Sequence, residues 1–209
     1  MKILLVGASG LVGQYVLQMA LDDQRVESVV APSRSRLPTH PKLLAPVIDF
    51  DHLPVGAPWW RTDAVICTLG TTMKQAQSPE AFKRVDYEYP LAIARLAQQH
   101  GATTYALNSA IGANMGSRFF YNRVKGELEH DLAALGFFSL TYVRPGVIAG
   151  RRMQVRQSEW MLVQLFRVLG PVLPRRLRIN PARNIAKVLL ESALSARPGV
   201  HVVTSAQLT

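Results

Sequence analysis

The chain has 209 residues, 48% of them hydrophobic, and a formal net charge of +10 at pH 7. This length fits one domain with a sizeable core and argues against two full domains. The single cysteine, Cys67, excludes an internal disulfide and predicts a reducing compartment, the cytoplasm. No apolar stretch reaches the roughly 18 residues of a membrane span, so no span is predicted.

The hydrophobic pattern predicts strands at 2–7, 26–31, 45–50, 64–69, 104–109, 139–146 and 199–205. Helices are predicted after Val12, from Ser78 to Gly101 with a bend at Pro90, from Tyr121 to Gly136, and near 158–169 and 182–194. The segments 32–44, 52–62 and 171–181 are predicted loops. This alternation predicts an α/β fold with a doubly wound, mainly parallel sheet. We expect one domain over 1–209, in which a small, mainly helical C-terminal region, 147–209, forms a cap on the substrate side.

The first strand runs into a regularly spaced glycine turn. The sequence GASGLVG places Gly7, Gly10 and Gly13 three residues apart, between this strand and the first helix. Glycines there permit a tight turn, a close approach of the backbone to a pyrophosphate, and close packing of helix on sheet. The helix then presents free N–H groups to the phosphates. In this context the motif predicts a Rossmann fold that binds a dinucleotide.

The end of the second strand indicates which dinucleotide binds. Dinucleotide-binding folds that use NAD often carry an acid there, which holds the ribose 2′-hydroxyl. This chain has no acid between Ser28 and Asp49, and it has Arg34 and Arg36 instead. A guanidinium suits a 2′-phosphate. NADP(H) is therefore predicted over NAD(H), with Arg34 on the 2′-phosphate and Arg36 as a solvated loop charge.

The stretch FYNRVKGELE carries a phenol and an ammonium four residues apart, Tyr121 and Lys125. On a helix they face the same side. Alone, the pair has two interpretations: a surface pair whose stems cover apolar neighbours, or a catalytic acid whose pKa the cation lowers. The other motifs of the chain favour the second.

Four further motifs accompany these: CTLGTT after the fourth strand, NSAIGA after the fifth, YNRVK on the next helix, and VRPG after the sixth. Together with the glycine turn, they resemble the atypical short-chain dehydrogenases/reductases, and within them the Tat-interacting-protein-like oxidoreductases and their bacterial relatives. The resemblance covers nearly the whole chain. It is specific for fold and cofactor and much less so for a reaction, because a fold does not fix a function.

The resemblance implies roles for particular residues. Those implied to contact the cofactor are Ser9, Gly10, Leu11 and Val12 at the phosphates, Arg34 at the 2′-phosphate, Leu69 and Gly70 near the ribose, and Ile148 and Arg156 after VRPG. Tyr121 and Lys125 match the proton-donating pair of the family. Ser109 would hold the carbonyl oxygen if the first of two serine positions is used. If the second is used, Ala110 leaves the triad incomplete.

These features favour an NADP(H)-dependent oxidoreductase that reduces a small carbonyl compound through Ser109, Tyr121 and Lys125. The alternative is an NADP(H)-binding regulatory or scaffold protein with little or no turnover. The short region after residue 147 argues against a large sugar-nucleotide ligand. The five histidines are scattered without ligand spacing, so no metal site is predicted. A monomer or homodimer is expected.

Positive charge is concentrated at residues 144–187, which contain ten arginines or lysines and one acid, Glu159. Such a segment can raise solubility, bind a phosphate-bearing ligand or bind nucleic acid. Its arginines are interspersed with apolar residues, without the basic and aromatic interleaving that stacks bases. A basic surface that raises solubility is the first interpretation and a phosphate-bearing ligand the second, and nucleic acid is not expected to bind.

Overall fold

In the computed structural model, which describes residues 1–149 and 179–209, seven strands form one parallel sheet. The strands are β1 (Lys2–Val6), β2 (Ser28–Val30), β3 (Leu43–Leu44), β4 (Ala64–Cys67), β5 (Thr104–Asn108), β6 (Ser139–Arg144) and, at the C-terminus, β9 (Gly199–Thr204). Their order across the sheet is β3-β2-β1-β4-β5-β6-β9. A separate parallel pair joins β7 (Ile148–Ala149) to β8 (Asn180–Pro181).

Helices cover both faces of the sheet. They are α1 (Leu11–Asp22), α2 (Met73–Ala76), α3 (Pro79–Lys83), α4 (Tyr89–Gln99), α5 (Phe120–Ala134) and α6 (Ala182–Ser195). Buried residues of α1 and α6 pack on one face, and those of α4 and α5 pack on the other. The predicted doubly wound Rossmann fold is confirmed. None of the helices within the described ranges has the length and apolarity needed to span a bilayer.

The apolar run of β1 shows why both faces must be covered. Side chains alternate along a strand. Ile3 and Leu5 accordingly pack with α1 and α6, whereas Leu4 and Val6 pack with α4 and α5. All four are fully buried. A continuous apolar sequence is therefore what a central parallel strand requires.

The third strand differs from its prediction. A strand over 45–50 is wrong, because β3 is Leu43–Leu44 and only an isolated bridge joins Ser33 to Val47 further on. The intervening Pro46 has no N–H to donate to a ladder, and such residues are tolerated mainly at sheet edges. β3 is that edge. The same pairing places β3 inside the predicted loop 32–44.

The C-terminal region contributes to the sheet layers themselves. β9 pairs with β6 along its whole length, from Ser139 opposite Gly199 to Arg144 opposite Thr204. The apolar side of α6 is buried against α1. The predicted cap over 147–209 therefore does not include α6 and β9. The cap assignment for the rest of that range stays a prediction, and the helix predicted near 158–169 and most of loop 171–181 lie outside the described residues.

The helix predicted from Ser78 begins as expected. The Ser78 hydroxyl accepts from the N–H of Ala81 at 3.1 Å, and Pro79 occupies the first turn. The predicted disturbance at Pro90 takes the form of a π-helical turn, Arg84–Glu88, between α3 and α4. In this turn the N–H of Tyr89 donates to the carbonyl of Arg84, five residues back. A wider turn can accommodate a proline ring, which in a regular α-helix would clash with the carbonyl four residues earlier.

Candidate active site

The glycine turn after β1 is as tight as its spacing predicts. Gly7 has φ +89°, a left-handed conformation that favours glycine. A Cβ on Gly13 would lie 2.1 Å from the Gly7 carbonyl oxygen, so the first turn of α1 packs directly on the end of β1. The N–H of Gly10 donates to that same carbonyl at 2.9 Å. A side chain at Gly13 would push α1 away from the sheet.

The N-terminus of α1 has the chemistry of an anion site. Its first backbone bond into the helix runs from the N–H of Gln14 to the carbonyl of Gly10, at 2.9 Å. The preceding N–H groups, from Leu11 to Gly13, have no helical acceptor, and no side chain of the described residues caps them. Free N–H groups and the positive end of the helix dipole suit a phosphate. The turn therefore fits the pyrophosphate of a dinucleotide, with Ser9 exposed beside it.

A cavity of about 250 Å³ lies at the carboxyl ends of β1, β4 and β5, which is where open parallel sheets bind ligands. The predicted residues in its wall are Gly10, Leu11, Val12, Leu69, Gly70, Ser109, Tyr121, Lys125 and Ile148. Gly7 and Gly13 lie behind this wall in the glycine turn. The fold thus brings most of the predicted cofactor and catalytic positions to one cavity. Arg156 lies outside the described residues.

Lys125 is buried beside this cavity and forms an ion pair that the sequence analysis did not predict. Its side chain is 3% exposed, and its Nζ lies 2.8 Å from Oδ1 of Asp86, whose side chain is 1% exposed. The other carboxylate oxygen of Asp86 accepts from the backbone N–H of Thr71 at 2.7 Å. Burial lowers the pKa of Lys125, but the negative charge of Asp86 outweighs burial with help from Tyr121, and the net direction is upward. Lys125 is therefore a charged ammonium at neutral pH.

Tyr121 is 40% exposed at the cavity, and its ring meets that of Phe82 edge-on, with centroids 5.8 Å apart. Burial raises the pKa of its phenol, the ammonium of Lys125 lowers it, and the carboxylate of Asp86 raises it. The net shift is upward. Lys125 lowers the Tyr121 pKa, as predicted, but burial raises it by more and Asp86 adds to the rise, so the expectation of a net pKa below the usual value is wrong.

Ser109 lines the cavity with its hydroxyl engaged elsewhere. Its Oγ donates to Oε1 of the buried Glu129 at 2.5 Å. Glu129 also forms an ion pair with Arg144, whose Nε donates to the same oxygen at 3.0 Å. A serine hydroxyl has one proton to donate. In this arrangement the hydroxyl donates its hydrogen bond to Glu129, and the neighbouring Ala110 has no hydroxyl with which to replace it.

A buried amide positions a further wall of the cavity. The side chain of Asn180, which is fully buried, accepts from the N–H of Gly146 at 2.7 Å and donates to the carbonyl of Ser205 at 2.9 Å. Its backbone N–H donates to the carbonyl of Val147. Asn180 thereby ties the segment that carries Gly146 and Ile148 to the C-terminus of the chain.

The loop after β5 is held against α5 by a close contact. A Cβ on Gly126 would lie 2.3 Å from the carbonyl carbon of Asn114, so only glycine allows this approach. The N–H of Asn114 also donates to the carbonyl of Asn122 at 3.0 Å. Ile111, at the start of this loop, lines the cavity. The loop and the helix that carries Tyr121 therefore form one fixed wall.

The loop after β2 presents two arginines. Arg34 and Arg36 are both exposed, and Arg34 directly follows the bridge residue Ser33, beyond the end of β2 at Val30. The buried Ser33 beside it closes a local turn, since its hydroxyl donates to the carbonyl of Ser35 at 2.7 Å. Arg34 thus lies at the carboxyl edge of the sheet, with its guanidinium accessible to a ligand.

No family model matches the sequence, but curated proteins do. The mitochondrial protein FMP52 of Eremothecium gossypii is 34% identical over 154 residues, which cover 73% of this chain and 68% of that protein. HTATIP2 of Rattus norvegicus is 34% identical over 170 residues, 79% of this chain and 70% of that one. The chain belongs to the HTATIP2/FMP52 family. The predicted membership of the Tat-interacting-protein-like, atypical short-chain dehydrogenase/reductase group is thereby confirmed.

Solved structures share the fold of this HTATIP2/FMP52-family protein. MoeE5 in complex with UDP-glucose and NAD has a TM-score of 0.74 at 18% identity, covering 97% of this chain and 75% of that one. The human epimerase family protein SDR39U1 with NADPH has a TM-score of 0.68 at 17% identity, covering 99% and 77%. At these sequence identities, the structural similarity establishes a shared fold and nothing more. With the family, they support an NAD(P)-binding oxidoreductase-type protein.

The predicted cytoplasmic location is wrong by comparison with the family. The FMP52 proteins of Eremothecium gossypii and Candida albicans are both named as mitochondrial. The cysteine content supported the prediction only weakly, because a single thiol excludes an internal disulfide and does not distinguish one reducing compartment from another.

Three buried residues that hold the cavity of this HTATIP2/FMP52-family protein in place were not singled out from the sequence: Asp86, Glu129 and Asn180. One signal for Glu129 was available, since Tyr121, Lys125 and Glu129 follow one another at intervals of four along one helix face. Asp86 gave no such signal, because a single acid on a helix is usually solvated. Among residues 1–149 and 179–209, no cluster of three His, Cys, Asp or Glu could hold a metal.

Proposed function

We propose that the protein is an NADP(H)-dependent oxidoreductase that reduces a small carbonyl compound, with Tyr121 as the proton donor. One observation carries the proposal: the N-terminus of α1, Tyr121 and Lys125 all line the same cavity. A phosphate site and a proton donor that open into one space can hold a cofactor and a substrate side by side. An unrelated surface pair would not lie next to the dinucleotide turn.

The residues proposed to hold the cofactor follow from their placement. The turn and first helical residues, Ser9 to Val12, would bind the phosphates, and Arg34 the 2′-phosphate. The residues proposed for the nicotinamide half are Leu69, Gly70 and Ile148 in the cavity wall. Arg156, which lies outside the described residues, is proposed for the phosphate side of the cofactor. When bound, NADP(H) supplies the hydride, and the protein supplies orientation and electrostatics.

Lys125 has N–H groups available to bind the cofactor. An ammonium has three N–H groups, and the ion pair with Asp86 involves a single carboxylate oxygen, so it needs at most one of them. The others are proposed to bind the nicotinamide ribose. Because the pKa of Lys125 is raised, it keeps its charge at neutral pH, and it is proposed to hold the ribose as a cation.

The protonation state of Tyr121 suits a proton donor. A phenol is protonated at neutral pH, and the upward direction of the Tyr121 pKa keeps it so, although it also makes the phenol a weaker acid. Reduction of a carbonyl needs a proton at the oxygen, whereas oxidation of an alcohol needs a base. The proposal is accordingly for reduction at neutral pH, and the rate of the reverse oxidation is expected to rise with pH.

Ser109 is proposed to play a smaller part than the family pattern implies. Its one proton goes to Glu129, so it contributes to the wall of the cavity and does not hold the substrate oxygen. The same observation favours a second candidate function. A protein without a carbonyl-holding hydroxyl could bind NADP(H) as a regulatory or scaffold protein with little turnover.

Cofactor binding tests the first half of the proposal. Isothermal titration should show tighter binding of NADPH than of NADH, and Arg34→Ala should remove most of the difference. Arg36→Ala is the matched control, since it removes an equally exposed arginine two residues away and should leave the preference intact. Equal affinity of the unmutated protein for NADPH and NADH would contradict the NADP(H) assignment.

Turnover separates the two candidate functions. A panel of aldehydes, ketones and quinones would be screened by the loss of NADPH absorbance. Tyr121→Phe should lower the rate by at least about 10²-fold while NADPH still binds, because general acid catalysis typically contributes that much. Tight NADPH binding without turnover of any compound would favour the regulatory protein.

A further inference from the structure

The Asp86–Lys125 pair has a feature that a simple anchor for a lysine does not need. Asp86 lies in the π-helical turn, Lys125 on α5 and Thr71 in the loop after β4, and one carboxylate contacts both of the others. The pair is almost completely buried, yet it forms part of the wall of the cavity at Tyr121. Any charge that Lys125 presents to the phenol is therefore accompanied by the opposite charge 2.8 Å away.

We propose that Asp86 is a positioning residue, which fixes the ammonium of Lys125 at the cavity and cancels most of the field that this ammonium exerts on the phenol of Tyr121. An isolated cation acts on a neighbour through its full charge. A closely spaced pair of opposite charges acts through the difference between two opposing contributions, which is smaller than the contribution of the cation alone. Asp86 would thereby set how readily Tyr121 releases its proton.

The titratable groups that face Lys125 within the described residues are few. They are Asp86 from the π-helical turn, Tyr121 from the same helix, and Cys67 from β4. Burial raises the pKa of the Cys67 thiol, so it is neutral. Tyr121 in turn faces the charges of Lys125 and Asp86. Asp86 is therefore the anion that can offset Lys125 at this phenol.

The inference deepens the proposed role of Tyr121 as proton donor, but its test does not need turnover. Phenolate absorbance of the free protein is followed against pH, with circular dichroism to define the range in which it stays folded. The chain has six tyrosines, so each variant is compared with its own Tyr121→Phe counterpart, and the difference isolates Tyr121. Failure of the reductase proposal would leave this measurement intact.

The expected results form a cycle. Asp86→Asn, which keeps an acceptor for Thr71, should lower the Tyr121 pKa by at least about one unit, because the cation is no longer offset. Lys125→Met should raise it, because only the carboxylate remains. The double variant Asp86→Asn/Lys125→Met should return close to the wild-type value. Glu127→Gln is the control, since it removes an acid of α5 that does not face the site, and it should leave Tyr121 unchanged.

The double variant keeps the test decisive if a single variant does not fold, since it leaves no unpaired charge. A clear rise of the Tyr121 pKa in the double variant would mean that Lys125 acts on the phenol without cancellation. A clear fall would mean that Asp86 acts on the phenol without Lys125. Either result overturns the proposal, as does an Asp86→Asn protein in which the Tyr121 pKa is that of the wild type.

Discussion

Two buried carboxylates stand behind the cavity, and they leave their partners in different chemical states. Asp86 forms an ion pair with Lys125 through one carboxylate oxygen, which needs at most one of the three ammonium N–H groups, so at least two remain for a ligand. Glu129 accepts the only hydrogen bond that the Ser109 hydroxyl can donate, so that hydroxyl has no donor left for a ligand. The two contacts are of similar length, yet Lys125 keeps donors for a ligand whereas Ser109 does not. The number of donors on each partner decides the outcome.

Each carboxylate also forms an ion pair, Asp86 with Lys125 and Glu129 with Arg144, and these two ion pairs differ in their access to water. The side chains of Lys125 and Asp86 are 3% and 1% exposed, whereas those of Arg144 and Glu129 are 32% and 6% exposed. An ion left without its partner is costly only where water cannot replace that partner. We therefore expect the two regions to respond differently when one charge is removed.

The largest effect is expected for Asp86→Ala. It leaves the ammonium of Lys125 buried and unpaired, which should lower the free energy of unfolding by about 3–5 kcal/mol. Urea denaturation measures this change. Glu127→Ala breaks the exposed pair with Lys83, 3.3 Å apart, and should cost less than about 1 kcal/mol. Equal losses in the two variants would contradict the role of burial.

A smaller effect is expected for Glu129→Gln. The amide still accepts from Ser109, and water can solvate Arg144, so the loss in urea should be about 1–2 kcal/mol. Arg144→Met removes the more exposed partner and leaves the buried carboxylate of Glu129 without a counter-ion, so it should cost more than Glu129→Gln. The reverse order would show that the exposed arginine, and not the buried acid, dominates this region.

The smallest effect is expected for Ser109→Ala, measured as carbonyl reduction with a compound from the turnover screen. Because its proton is directed to Glu129, its loss should change kcat/KM by less than about tenfold, or about 1.4 kcal/mol. Tyr121→Phe, measured alongside, should lose far more. A loss of about 10²-fold or more in Ser109→Ala would restore Ser109 as the group that holds the substrate oxygen.

Much of the fold was predictable because its signals are local. The apolar run of β1, the glycine spacing and the cap at Ser78 each follow from residues that lie close together in the chain. The third strand was not predictable in this way. Its position depends on pairing across the sheet edge and on the missing N–H of Pro46, while the apolar pattern extends past both.

The sequence predicted which residues line the candidate site, but it did not predict the net direction of the Tyr121 pKa. The i, i+4 spacing placed Tyr121 and Lys125 together, as the structure does. The direction of the Tyr121 pKa depends first on burial, and the carboxylate of Asp86, a residue from a different element whose proximity no local pattern reveals, adds to the rise. Burial of an acid is a property of the packed protein, and composition assigns such an acid to the surface by default.

The π-helical turn at Arg84–Glu88 makes the length of this segment as important as its residue types. Each residue of an α-helix advances the chain by about 100° around the axis. A one-residue deletion between Arg84 and Glu88 would restore α-helical phase and rotate Asp86 relative to the apolar side of α4, which buries Leu91 and Ile93. Substitutions at exposed positions of this segment would leave that phase unchanged. After an insertion or deletion, the segment could no longer both bury the apolar side of α4 and place the Asp86 carboxylate beside Lys125.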